Sequence, residues 1–123
     1  MINHKFEDGI FHVTFSDSIE YQEIINYLNE FSKIDYLPMD VLLLYDAHNV
    51  DFKFKPEEVE TISKKAEEST QKYKSVKTVF LIDEPKLAVY TMLFSRMPVN
   101  KKTQRNIFAT ENSALRWLNS FKK

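Results

Sequence analysis

Asp40-Val41-Leu42-Leu43-Leu44-Tyr45-Asp46 contains the longest apolar run of the chain, five residues bounded on each side by an acid. The run is too short for a helix and shows no alternation, so both of its faces meet protein. Strands of that kind belong to parallel sheets covered by helices. A second run of the same character lies at 76–82. Between the two, Pro56-Glu57-Glu58 opens a helix, with proline suited to the first turn and acids to the positive end of the dipole. Its apolar stripe is narrow (Val59, Ile62, Ala66, Tyr73), as expected of a solvent-facing cover helix. On the N-terminal side, Asp8-Gly9 separates two alternating segments and predicts a tight hairpin turn. Glu7 then faces Ile10, Phe6 faces Phe11, Lys5 faces His12 and His4 faces Val13. One hairpin face carries Ile2, His4, Phe6, Phe11, Val13 and Phe15 toward the core.

Ser16-Asp17-Ser18 reads as a cap-like cluster before an amphipathic helix over 19–34, where Tyr21, Ile24, Ile25, Leu28 and Phe31 recur at helical spacing. After the 41–45 strand, 46–55 reads as a polar connection. Asp83-Glu84-Pro85 opens a helix over 86–97, 103–108 is a short strand, and Thr110 caps a last helix over 111–121. The order ββαβαβαβα predicts an α/β fold. Its sheet is mostly parallel, with one antiparallel N-terminal hairpin strand and covering helices, in a single domain over 1–123.

The chain has 123 residues, of which 43% are hydrophobic and 28% charged, the balance of a globular domain rather than a disordered chain. Lys and Arg number 17 against 18 Asp and Glu, a net charge of -1, so a nucleic-acid backbone is not an expected partner. Without Cys there are no disulfides, thiol nucleophiles or Cys-ligated metals. A single Gly excludes the glycine-rich phosphate-binding loops. No stretch approaches the roughly 18 apolar residues of a membrane span. The N-terminus lacks the apolar core of a signal peptide. The expectation is a cytoplasmic protein without integral membrane association.

The stretch Ile107-Phe108-Ala109-Thr110-Glu111-Asn112-Ser113-Ala114-Leu115-Arg116-Trp117-Leu118 resembles the closing strand and helix of the bacterial SpoIIAA-like family, also described as STAS/SEC14-domain proteins. There an apolar-Phe pair precedes an acidic helix start and an Ala-x-x-Trp-Leu motif. The hairpin and the segments 41–46 and 76–83 fall at that family's positions, so the resemblance spans nearly the whole chain. It implies a βα superhelical fold and two functional models. One is the anti-anti-sigma switch, in which a Ser after the second core strand is phosphorylated. Residues 46–56 contain no Ser or Thr, so that switch does not carry over. The other is a SEC14-like apolar pocket.

Three groups of residues are candidates for function. His4 and His12 fall on opposite hairpin faces and cannot converge on one metal ion; His4 is expected at the core edge and His12 on the surface. Asp46, His48 and Asp51 follow the central strand, and Asp83 with Glu84 follows its neighbour, where open α/β sheets bind ligands. A carboxylate there can orient His48 as a base, or several can hold a hard cation. The ordinary role of such residues is to end strands and cap turns. Residues 46–56 offer no nucleophile, so no catalytic residue is assigned.

The 86–97 helix carries more apolar side chains than one sheet-facing stripe needs. Tyr90, Met92, Phe94 and Met97 mark its ligand or partner surface. Arg96, Lys101, Lys102 and Arg105 follow without an acid between them. Four bases in a loop can touch an anionic head group or an acidic partner; because the chain as a whole is near neutral, they are read as a solvated loop. The expectation is a non-enzymatic binding or regulatory domain without cofactor or metal. It acts through protein contacts or as a homodimer, with a carrier of a small apolar or lipid-like ligand as the alternative.

Overall fold

The computed structural model describes residues 1–82, 90, 92 and 94–122. Strands β1 (Ile2–Glu7) and β2 (Ile10–Ile19) are followed by helix α1 (Tyr21–Ser32), strand β3 (Asp40–Phe52), helix α2 (Glu58–Ser69) and strand β4 (Ser75–Leu81). Strand β5 (Thr103–Phe108) and helix α3 (Glu111–Asn119) complete the chain. Between β4 and β5, Tyr90, Met92 and residues 94–96 are helical. The remainder of the expected 86–97 helix, with Asp83 and Glu84, lies outside the described residues. The strands form one sheet in the order β1-β2-β3-β4-β5, antiparallel between β1 and β2 and parallel elsewhere. This is the α/β, mostly parallel arrangement expected from the sequence. Among the described residues, no helix is long and apolar enough to cross a membrane.

The hairpin has the expected register, from Glu7 opposite Ile10 to His4 opposite Val13. Its turn holds Asp8 at φ 53 and Gly9 at φ 78, the left-handed pair that a two-residue turn between twisted strands requires. Two boundaries differ from expectation. The Ser16-Asp17-Ser18 cluster does not cap α1 but continues β2, and Glu20 takes the cap position, its N–H donating to the Glu23 carboxylate at 3.2 Å. The expected polar connection at 46–55 is, as far as Phe52, the rest of β3. The strand continues because β2 continues beside it, pairing Ser16 with Asn49 and Ile19 with Phe52. Thr14 pairs with Asp46 and Ser16 with Asn49, so Ala47 and His48 together oppose Phe15 alone. That two-against-one bulge interrupts the simple alternation on which sequence reading relies.

Side chains on the two sheet faces build two cores. On one face Val41, Leu43, Tyr45, Val76 and Phe80 pack with Ile24, Leu28 and Phe31 of α1 and Val59 and Ile62 of α2. On the other, Ile10, Leu42, Leu44, Val79 and Leu81 meet Ala114 and Leu118 of α3. Thr110 caps α3 through its Oγ1, which accepts from the Ser113 N–H at 3.3 Å. The Ala-x-x-Trp-Leu motif divides by burial: Ala114 and Leu118 are fully covered, while Trp117 is only half-buried between Phe108 and Phe121. Trp117 is therefore a flank of the core and not its centre. Trp117→Ala is expected to cost about 2 kcal/mol, below the ~3–5 of a fully buried tryptophan, and Leu118→Ala about 3 kcal/mol. Urea unfolding of the two variants checks the order.

Candidate functional site

Phe15 of β2, Tyr45 of β3 and Phe80 of β4 stand side by side on the sheet face under α1 and α2. Their rings stack at centroid distances of 5.6 and 5.4 Å. Above this aromatic floor the layers do not close. Ala47 from the bulge of β3 and Ala66 from α2 are small where larger side chains would fill the space, and a cavity of about 70 Å³ remains. Ile24, Tyr27 and Leu28 of α1 form one wall, and Val59 and Ile62 of α2 another. Phe52, Phe54 and Tyr90 form a rim, with ring centroids 5.1 to 5.8 Å apart. Tyr90 is held there by donating its hydroxyl to the Phe54 carbonyl at 2.9 Å, and Phe94 meets Phe80 edge-on at 5.0 Å.

Two of the residues lining this cavity meet through their hydroxyls. Tyr27 and Tyr45, both buried, place their Oη atoms 3.0 Å apart. Two hydroxyls carry two protons, and their mutual bond uses one, so one O–H remains to donate to a further acceptor. Burial pushes the Tyr45 hydroxyl up to about 12, against the opposing pull of its Tyr27 hydrogen bond and the Arg105 charge. Burial, reinforced by Tyr45, holds Tyr27 well above the usual tyrosine range.

The residues singled out in the sequence fall in different places. Tyr90 and Phe94 line the cavity, and Met97 packs against the same core from a half-buried position. Met92 is 40% exposed. Asp46 and His48 do meet, Nδ1 to Oδ1 at 2.8 Å, with side chains 34% and 31% exposed. They lie in β3 rather than in a loop, and Asp46 shares the parity of Leu44, on the face away from the cavity. Asp51 does not join them; it pairs with Lys53 at 2.7 Å. Asp83 lies outside the described residues. Among the described residues no three of His, Cys, Asp and Glu come together. His4 is exposed rather than at the core edge and stacks on Phe11 at 5.1 Å, while His12 is half-buried.

The basic stretch at 96–105 is not a wholly solvated loop. Lys102 turns inward, its Nζ donating to the carbonyls of Thr70, Gln71 and Tyr73 at the end of α2. Arg105 is on β5, half-buried, its Nη1 donating to Ser63 Oγ at 2.6 Å and the Phe94 carbonyl at 3.1 Å. Sequence reading grouped it with its basic neighbours. The alternation Thr103-x-Arg105-x-Ile107 was the available signal that it faces the sheet's covered side.

This topology, with helices α1 and α2 on one face and α3 on the other, defines a SpoIIAA-like α/β fold. Among solved structures the chain is similar to an uncharacterized protein of the DUF3478 family with a SpoIIAA-like fold from Shewanella loihica PV-4. The match has a TM-score of 0.60 and 12% identity over 96% of this chain and 92% of that one. No protein-family model and no curated protein matches the chain. At that identity the likeness establishes the fold.

The tyrosine pair makes stability depend on pH at the alkaline end. Both hydroxyls are held protonated in the folded state beyond the range where unfolded tyrosine ionises, so above about pH 10 the folded protein holds more protons than the unfolded chain and stability falls as pH rises. Their contribution is whole below pH 10 and is lost progressively toward about 12, the folded value of Tyr45. Urea midpoints measured from pH 8 to 12 are expected to fall in that window, and less steeply in Tyr45→Phe.

Proposed function

We propose that the chain is a non-enzymatic binding domain whose ligand is a small apolar or amphipathic molecule held between the sheet and helices α1 and α2. The observation that supports this reading is the cavity itself. An unfilled space bounded by aromatic rings loses dispersion contacts and costs stability unless something occupies it. Its rings also hold one another in place, so the shape exists before a ligand arrives. At about 70 Å³ it is roughly half the ~150 Å³ engineered cavity that admits benzene. A chain of a few carbons is the scale of guest it suits. The Asp46–His48 pair faces away from this space, so the reading assigns it no chemical step there.

Ala66→Leu, which adds bulk to the cavity wall on a helical position, is expected to lower affinity for 1-butanol at least tenfold while leaving the melting temperature level or raised. Calorimetric titration and thermal unfolding of the same samples check both halves.

Contact with a protein partner or a second copy of the chain is the alternative reading. The exposure of Met92 favours it, since the other three residues of the expected surface turn inward. On this reading the wild type sediments as a dimer at high micromolar concentration and Met92→Lys as a folded monomer.

A further inference from the structure

Arg105 pairs in register with Thr78 on β4, as Thr103 does with Val76 and Ile107 with Phe80. It therefore leaves β5 toward the sheet face that carries the cavity. Its guanidinium lies over the Phe94 ring, 4.0 Å from the centroid. Its acceptors are neutral: the Ser63 hydroxyl, the Phe94 carbonyl, and the Ser63 carbonyl at a long 3.5 Å from Nη2. Among the described residues its five N–H donors meet three acceptors. Among the described residues no carboxylate lies within ion-pair distance of it. Glu67, the acid whose field it feels most, instead accepts from the Asn100 N–H at 2.8 Å. Burial lowers Arg105 to about 10, so it stays charged at neutral pH. A cation drawn out of water without a counter-charge is a costly arrangement.

A second, smaller cavity explains what such a charge can do. It has about 20 Å³ and is bounded by Arg105 with Ser69, Thr70 and Thr78. Leu28, Tyr45, Ala66 and Phe94 line both this space and the apolar cavity. The small space exceeds the ~10–15 Å³ that one water needs. It suits a single water-sized oxygen and is too small for a phosphate. A carboxylate can place one of its oxygens there and accept a charge-assisted hydrogen bond from the arginine.

We infer that the ligand of the apolar cavity is an anionic amphiphile, a short-chain monocarboxylate whose head meets Arg105 and whose chain lies among the aromatic rings. This rests on the cavity being a ligand site.

Titration calorimetry with butanoate and 1-butanol tests the inference. The wild type at pH 7 is expected to bind butanoate at least tenfold more tightly than 1-butanol. That advantage disappears as pH falls through the titration of the acid itself. Arg105→Gln is expected to bring the two affinities within about twofold, chiefly by weakening butanoate, and Arg105→Lys to keep part of the preference. Equal affinities in the wild type, or an undiminished acid preference in Arg105→Gln, overturn the role of Arg105 while leaving the cavity reading in place. Binding of neither compound overturns both. Should Arg105→Gln fail to fold by circular dichroism, the wild-type acid-to-alcohol ratio and its pH profile decide the matter.

Discussion

Strand β3 pairs with β2 on one side and β4 on the other, and its side chains alternate between two separate cores. Leu43 and Tyr45 go to the face covered by α1 and α2; Leu42 and Leu44 go to the face covered by α3. Full burial of each such side chain is worth roughly 1.5–3 kcal/mol. The same strand therefore anchors both layers, and a slip of one residue would exchange the two sets. The order of the sheet follows from this constraint. A central strand without a wet face needs neighbours on both edges and helices on both sides, and the remaining elements supply them.

Where β3 leaves that regime, the site begins. Beyond Tyr45 the strand admits Ala47 inward and shifts register by one residue, at the point where the cavity opens over the Phe15–Tyr45–Phe80 floor. The neighbouring rings are packed edge and face, so neither rotates easily to fill the gap. Rigidity of the walls and smallness of Ala47 and Ala66 together account for the unfilled space.

The legible parts of the sequence were those in which a single local rule acts alone. Asp8-Gly9 determined a turn and hence a register; Thr110 marked the start of α3; the run at 41–45 marked a buried strand. The second half of β3 was hidden because its strand character comes from pairing with β2, a long-range effect, and its bulge breaks the period. Ser16-Asp17-Ser18 was hidden for the opposite reason: it has the composition of a cap but lies opposite a strand. Trp117 shows that a motif reports packing without reporting depth. Of the candidate site, Tyr90 and Phe94 were found through the excess width of their helix. Arg105 was not distinguished from Lys101 and Lys102, because only the register of β5 tells an inward cation from an outward one. Ala47 and Ala66 carried no signal at all, since a void is made by what is missing.

Lys102 joins parts of the chain that are otherwise remote. One ammonium donates to the carbonyls of Thr70, Gln71 and Tyr73, and the next residue begins β5. Those carbonyls lie at the C-cap of α2 and in the turn from it into β4. Detaching the edge strand β5 would therefore also loosen that turn. Fraying at this edge becomes a cooperative event rather than a strand-by-strand one. In hydrogen-exchange terms, the turn after α2 and the first residues of β5 are expected to open as one unit, although about thirty residues of chain separate them.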